Sequence, residues 1–381
     1  MLRMSIAILF SFCCSHAQWL NDPALESRIH KGIGHVYNLS FDSARTEFQQ
    51  VVRSMPDHPA GYFCLAMAQW WQIVIDVDND SYDEQFISLL DNVMDICNKR
   101  LEKDENDLTA LFFKGGALGF RGRLYAYRDD WIKAANDGRT ALPLVHQAFS
   151  LAPGNYDVFL GMGIYNYYAE VIPEQYPIVK PLMVFFPHGD KQKGIAQLRD
   201  ASEKAPYANV EAAYFLLQLF FNYEKQYSDA LTIALKLYNR FPDNPVFEKY
   251  VGRCYAALGQ WNEMHTVFTE LKRHFDEHKF GVTSVTERET QFYLGLYEMN
   301  FKNYDKALQD FYRCDELSRT LDREGASGFM VMANLKIGMM YDIQSKRDLA
   351  LQQYNKVLKM NDYQNAHQQA EQFIKTPCTN N

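Results

Sequence analysis

The sequence has few of the features that mark enzymes or nucleic-acid-binding proteins. It contains no HExxH, GxxxxGK[S/T] or GxSxG motif, and no GxGxxG motif after a strand pattern. Its 39 Lys and Arg residues are outnumbered by 47 Asp and Glu residues and form no basic cluster, which argues against general nucleic-acid binding. We therefore predict a chain that is not an enzyme, has no catalytic residues, needs no cofactor and binds no nucleic acid.

Metal-binding patterns are incomplete. The acidic run at 76–84 (DVDNDSYDE) lacks the glycine of a calcium loop, and Ile87 stands where such a loop has its bidentate glutamate. His274 and His278 have the spacing of a zinc pair, but no third ligand lies near them in the sequence. The seven cysteines include no CxxC pair, and most of those beyond the N-terminus fall in helical patterns. We predict no metal site, and buried free thiols rather than a disulfide framework.

Long apolar runs are confined to the N-terminus. Arg3 precedes an uncharged, mostly apolar run at 4–14, and the small residues Ser15 and Ala17 precede Gln18. The run is too short to span a bilayer, and this layout is typical of a secretory signal peptide at 1–17. A core helix or a short membrane anchor is the alternative. We expect an exported protein of the periplasm or cell envelope of a Gram-negative bacterium, with no transmembrane span in the mature chain.

The chain does contain an internal repeat, which is clearest after residue 207. Units that begin at Glu211, Pro245, Arg288 and Val331 place the same kinds of side chain at the same positions, and two of them are 34 residues apart. The shared positions are an apolar residue in the first helix (Leu217, Val251, Leu294, Ile337), a glycine after it in three units (Gly252, Gly295, Gly338), and an apolar residue in the second helix (Ala234, Phe268, Phe311, Tyr354).

These columns resemble the tetratricopeptide repeat (TPR), a helix–turn–helix unit in which small residues let two helices approach closely. A further copy near the N-terminus places Gly32, Ala44 and Phe48 on the same columns. Each helical pair is unable to bury its apolar face alone, so neighbouring pairs must stack. The resemblance implies an all-α, right-handed α-solenoid of about eight TPR-like helical pairs, followed by a capping helix near residues 365–375.

The repeat is uneven along the chain. We predict an irregular TPR-like region at 18–206, which contains a Pro-rich apolar insertion at 170–194, and a regular TPR array with its cap at 207–381. The insertion either packs on the solenoid or presents a surface to a partner or membrane. The segments 119–142 and 160–173 resemble uncharacterised exported bacterial TPR proteins, a resemblance that implies no activity.

The concave side of such an array is the first candidate site. The resemblance places one set of first-helix positions there, and an apolar groove of this kind suits a peptide or a helix of a partner. The leading hypothesis is therefore a non-catalytic scaffold that binds a protein or peptide partner. The predicted groove residues are Phe215, Leu219, Lys249, Arg253, Phe292, Leu296, Leu335 and Met339.

The alternative hypothesis is a small-molecule or glycan pocket, or an enzymatic one, in the block 107–206. Arg121 and Arg128 are seven residues apart, so they share a helix face that is able to bind an anionic group. Nearby aspartates, such as Asp137, offer them ion-pair partners instead. The candidate pocket residues are Arg121, Arg128, Tyr165, Tyr168, His188 and Asp190.

Overall fold

The computed structural model describes residues 19–20, 22–175, 187–323 and 325–379, and within these ranges the regular structure is entirely helical. The predicted signal peptide and residues 176–186 of the predicted insertion lie outside the described residues. In the described part, no helix has the length and apolar character needed to cross a bilayer. The helices are α1 (Pro23–Tyr37), α2 (Phe41–Ser54), α3 (Pro59–Ile75), α4 (Asp83–Leu101), α5 (Leu108–Tyr127), α6 (Trp131–Leu151), α7 (Tyr156–Gln175), α8 (Lys191–Lys204), α9 (Asn209–Gln218, continued by a π turn at Leu219–Tyr223), α10 (Tyr227–Arg240), α11 (Pro245–Ala257), α12 (Trp261–Asp276), α13 (Ser284–Asn300), α14 (Tyr304–Leu321), α15 (Gly328–Ile343), α16 (Arg347–Val357) and α17 (Ala366–Lys375).

Consecutive helices pack against each other along the whole described chain. They form eight pairs, from α1 with α2 to α15 with α16, and α17 packs on both helices of the last pair. α9 packs on α8, so the stack continues past residue 206. The predicted solenoid of TPR-type helical pairs with a capping helix is therefore confirmed.

The glycine column of the repeat is explained by the aromatic residue of the same pair. A Cβ atom added to Gly32 would lie 2.3 Å from Cε1 of Phe48, and one added to Gly252 would lie 2.6 Å from Cε2 of Phe268. Both distances are well below van der Waals contact, so only glycine leaves room for the ring. The same relation joins Gly295 to Phe311 and Gly338 to Tyr354.

The N-terminal half of the solenoid closes on itself. α3 contacts α11, eight helices further along the chain. Nδ2 of the buried Asn244 donates a hydrogen bond to the backbone oxygen of Tyr37 at 3.0 Å, which joins the start of α11 to the end of α1. The rings of Tyr37 and Trp71 also pack against Phe247, with centroids 6.5 and 5.4 Å apart. The first pairs thus form a closed wall instead of an open groove.

The helical cysteines lie inside the core. Cys64, Cys97, Cys254 and Cys314 are buried free thiols, and Cys378 is a half-buried free thiol. Burial raises the pKa of the first four thiols to about 12. Because the thiolate is the reactive form, these cysteines are inert packing residues, as the sequence predicted.

Candidate functional site

A cavity of about 820 Å³ lies inside the closed N-terminal half, between α1, α3, α5, α6, α7 and α9. This volume is in the range of pockets that enclose small-molecule ligands, roughly 300–1,000 Å³. Its walls are mainly apolar. Representative lining residues are Phe63, Met67, Phe112, Leu142, Val145 and Ile164.

The glycines of α5 meet different surroundings along the cavity wall. Gly115 and Gly122 allow α5 to approach α6 closely, since an added Cβ atom would lie 3.0 Å from Val145 at the first and 3.3 Å from the Ala134 oxygen at the second. Gly119 differs, because a Cβ atom there would meet nothing within 4 Å. α6 packs far more extensively on α5 than on α7, and residues of all three helices line the cavity.

The cavity is open to solvent. Gly119, Tyr127, Trp131 and Asn222 belong to its lining and are also exposed. Trp131, at the start of α6, is 47% exposed, which is unusual for a residue of this size. We call these four residues the mouth. An apolar molecule therefore has an aromatic-edged route from solvent to the interior.

Arg123 lies on α5 between the mouth residues Gly119 and Tyr127. Its guanidinium stacks between two rings, with Cζ 4.8 Å from the centroid of Trp70 and 4.4 Å from that of Phe215. Nη2 donates to the Tyr127 hydroxyl and to Oε1 of Gln218, each at 3.2 Å. Among the described residues, the buried Nη1 finds no acceptor within hydrogen-bonding distance. The guanidinium of Arg123 is thus fixed in position, and its Nη1 is a hydrogen-bond donor without an acceptor in the described part of the chain.

Glu211, at the start of α9, lines the cavity beside Arg123. Its Oε1 accepts hydrogen bonds from Nε1 of Trp71 at 2.6 Å and from the Tyr37 hydroxyl at 3.3 Å. Its Oε2 receives no hydrogen bond from the described part of the chain, and Nη1 of Arg123 is 3.9 Å away. Burial raises the pKa of Glu211, because it disfavours the charged carboxylate. Oε2 of Glu211 is therefore a hydrogen-bond acceptor without a donor in the described part of the chain, and it lies near the Arg123 guanidinium.

Tyrosine rings complete the surroundings of Arg123. Tyr168 lines the cavity, and the nearby Tyr214 and Tyr250 are buried behind it. Burial raises the pKa of all three hydroxyls, so they are neutral at physiological pH. The π turn that ends α9 brings Asn222 into the lining, and π turns are frequent at functional sites. Apart from the Glu211 carboxyl group, these neighbours of Arg123 are therefore polar and uncharged.

Asp157 forms a second polar point in the lining, at the start of α7. It accepts hydrogen bonds from Nε1 of Trp19 at 3.0 Å and from the backbone nitrogens of Tyr207 and Ala208 at 3.0 and 2.9 Å. The Trp19 ring in turn stacks on Phe112, with centroids 4.1 Å apart. Burial raises the pKa of Asp157 to about 6. These contacts give Asp157 a role in holding the cavity wall together.

The structure does not bring the six predicted pocket residues together at one place. Tyr165 and Tyr168 line the cavity. Tyr165 also donates its hydroxyl hydrogen to the Pro187 oxygen at 2.5 Å. His188 is exposed, and Asp190 caps α8 by accepting from the Lys193 nitrogen at 2.9 Å.

The two predicted arginines bind aspartates instead of facing the cavity. Nε and Nη2 of Arg121 each donate to Asp137 at 2.8 Å, in a bidentate pair. Nε of Arg128 donates to Asp83 at 2.6 Å, and its Nη1 donates to the Val77 oxygen at 2.5 Å. Both guanidinium groups therefore tie helices and loops together and are occupied.

The predicted groove residues divide into three groups. Phe215, Leu219 and Leu335 are buried and unavailable to a partner in this conformation, and Phe215 belongs to the wall of the cavity. Lys249 and Arg253 converge on the buried Glu289, with shortest distances of 3.7 and 2.5 Å. The third group keeps part of its surface accessible and comprises Phe292, Leu296 and Met339.

Sequence reasoning missed the residues that carry the polar part of the cavity, Arg123 and Glu211. The seven-residue spacing drew attention to Arg121 and Arg128, whereas Arg123 projects from another side of the same helix. The sequence did contain one indication that α5 is unusual. The segment 115–122 (GGALGFRG) places four glycines in a single helix, a composition that costs helix stability and so indicates a local need for space.

The similarity of this chain to known proteins is distant. No protein-family model and no curated protein matches this sequence. Among solved structures, yeast Tom70 is 12% identical, with a TM-score of 0.38, and the match covers 93% of this chain and 88% of that one. A dimer of human IFIT1 with m7Gppp-AAAA is 13% identical, with a TM-score of 0.46 and coverages of 92% and 86%. The apo form of RapI is 13% identical, with a TM-score of 0.43 and coverages of 94% and 100%. These values are too low to transfer a ligand or partner.

Proposed function

We propose that this chain is a non-catalytic helical-repeat protein that binds a mainly apolar small molecule in the cavity of its N-terminal half. The observation that carries the proposal is the cavity of about 820 Å³ with apolar walls and a mouth edged by Tyr127 and Trp131. Protein interiors normally leave few voids larger than a water molecule, so an apolar space of this size suits a ligand.

The closed wall favours binding inside the fold. Because α1 and α3 are tied to α9 and α11, the cavity exists without the ligand and needs little ordering on binding. A ligand that leaves water for these walls gains roughly 25 cal/mol for each Å² of apolar surface buried. The glycines of α5 set the shape of the space and are the natural positions at which to test it.

The experiment is a fluorescence titration of the purified protein with N-phenyl-1-naphthylamine, a neutral apolar probe. We expect saturable binding with one site per chain. Gly119→Leu places a side chain into the mouth and should reduce the probe's affinity at least tenfold. This substitution replaces a helical glycine in open space, so it should not unfold the protein.

Gly34→Leu is the matched control. Gly34 lies in α1, a Cβ atom there also meets nothing within 4 Å, and the residue is not part of the cavity lining. This variant should bind the probe as the wild type does. Absence of saturable binding to the wild type, or equal affinity in the wild type and Gly119→Leu, would contradict the proposal.

A second candidate function is the binding of a protein or peptide partner along the concave side of the C-terminal pairs. It is favoured by the partly accessible apolar side chains of Phe292, Leu296 and Met339 on the first helices α13 and α15. A partner recovered by pull-down from envelope extracts should bind Phe292→Asp more weakly. A confirmed complex that tolerates both Phe292→Asp and Leu296→Asp would refute this groove.

We place either function in the periplasm or cell envelope of a Gram-negative bacterium. Support comes from the apolar run at 4–14, followed by small residues before Gln18. The four buried cysteines are compatible with an oxidising compartment, because thiols enclosed in the core are not available to form disulfides with other molecules.

A further inference from the structure

Arg123 carries an unused hydrogen-bond donor in a mainly apolar cavity. Its guanidinium is fixed by stacking on Trp70 and Phe215 and by the two bonds of Nη2 to Tyr127 and Gln218. Nη1 finds no acceptor among the described residues. A buried charged donor without an acceptor is energetically unfavourable, so a ligand that supplies one is stabilised there.

Glu211 presents the complementary group. Its Oε2 lies 3.9 Å from Nη1 of Arg123, which exceeds hydrogen-bonding distance, and it has no donor in the described part of the chain. A head group that hydrogen-bonds to both residues must accept a hydrogen bond from Nη1 of Arg123 and donate to, or accept from, Oε2 of Glu211. Alcohols and carboxylic acids meet this description, whereas a cationic head group would be repelled by Arg123.

Charge favours the acid over the alcohol. A carboxylate forms a charge-assisted hydrogen bond with a guanidinium, which is roughly twice as strong as the bond to a neutral acceptor. Burial raises the pKa of Glu211, so its protonated form is able to donate to a ligand carboxylate beside it. A phosphate head group would need more positive charge, and Arg123 is the one basic residue in the described lining.

The position of Arg123 sets the orientation of the ligand. Arg123 lies close to the mouth, one helical turn from both Gly119 and Tyr127, and the apolar lining extends away from it towards Phe112, near the other end of α5, and Val158 on α7. A molecule that enters tail first would therefore place its head group at Arg123.

We propose that the ligand is a single-chain amphiphile with a carboxylic acid head group, held between Arg123 and Glu211 with its hydrocarbon chain in the cavity. This inference rests on the proposed function of the cavity. It requires that an acid bind more tightly than the alcohol of the same chain length, and that the difference depend on Arg123.

The experiment compares dodecanoate with dodecan-1-ol as competitors that displace N-phenyl-1-naphthylamine from the full chain. In the wild type at pH 6.5, we expect dodecanoate to bind at least tenfold more tightly. Arg123→Leu should weaken dodecanoate by at least that factor, weaken the alcohol less, and leave the probe within about twofold, a pattern that a merely unfolded variant does not give. Gly34→Leu, which lies outside the cavity lining, is a control expected to keep the preference for the acid.

The pH dependence tests Glu211 separately. The titratable or charged groups that face it are Arg123 from α5, Tyr37 from α1 and Tyr214 from its own helix, and both tyrosines have a strongly raised pKa. Dodecanoate affinity in the wild type should fall as the pH rises through the raised pKa of Glu211, since the ionised Glu211 carboxylate repels that of the ligand. Glu211→Gln, which stays neutral, should abolish this fall.

The outcomes separate the two proposals. If the probe does not bind the wild type, the proposed function of the cavity is wrong. If the probe binds, but the acid and the alcohol compete equally or Arg123→Leu keeps the acid preference, only the carboxylic acid inference is overturned. If the affinity for dodecanoate does not change with pH in the wild type, the role of Glu211 is overturned.

Discussion

Two glycines in α1 occupy opposite environments, although only one residue separates them. Gly32 faces α2, where an added Cβ atom would lie 2.3 Å from Phe48, whose side chain is fully buried. At Gly34 the added atom would meet nothing within 4 Å. We predict that Gly34→Ala stabilises the protein and that Gly32→Ala destabilises it.

The magnitude follows from two opposing contributions. Replacing a helical glycine by alanine gains up to about 1 kcal/mol of helix stability, and both substitutions share this gain. Overpacking a buried ring costs about 1–3 kcal/mol, and only Gly32→Ala carries this cost. The free energies of unfolding of the two variants should therefore differ by about 1–3 kcal/mol, because helix propensity cancels in the comparison.

Urea unfolding followed by circular dichroism measures both values. A third variant, Phe48→Leu, removes the ring, so Gly32→Ala should cost less in that background than in the wild type. Equal free energies for Gly32→Ala and Gly34→Ala, or an unchanged cost in the Phe48→Leu background, would refute the steric explanation of the glycine column.

Three further predictions concern other parts of the molecule. Arg253→Met should lower the free energy of unfolding by about 3 kcal/mol, since it leaves the buried Glu289 without its bidentate partner. Arg45→Met removes an exposed ion pair and should lower it by less than about 1 kcal/mol. Urea unfolding measures both values. Burial raises the pKa of Glu248 to about 7, above its value of about 4.3 in an unfolded chain, so the folded state binds the extra proton. Stability should therefore fall as pH rises from 4 through 7, and this slope should be smaller in Glu248→Gln. N-terminal sequencing of the exported protein should begin at Gln18, and a retained leader would contradict the predicted signal peptide.

The helical pairs were predictable because their determinants are local. Gly252, Gly295 and Gly338 recur at fixed distances from Phe268 and its equivalents, and each glycine packs against the aromatic residue of its own pair. Such a column is visible in a single sequence, since both members belong to one repeat unit. The division of the chain at residue 206 stays a prediction.

The cavity was not predictable in the same way because its determinants are far apart in the sequence. Arg123 and Glu211 are brought together by the closure of the first pairs, and Trp71 reaches Glu211 across 140 positions. Helical periodicity identifies which residues share a face of one helix, but it does not indicate which faces of distant helices meet. The spacing argument consequently selected Arg121, which binds Asp137 locally.

The hydrogen bond from Asn244 to Tyr37 has a consequence for the evolution and folding of the array. In an ordinary solenoid each unit touches only its neighbours, so units can be duplicated or lost and stabilities add along a line. Here the first and sixth pairs are in contact. The number of units between them is therefore fixed, because adding or removing a unit would separate the two pairs. We expect the N-terminal half to unfold as one cooperative block, and duplications to be tolerated only in the C-terminal pairs.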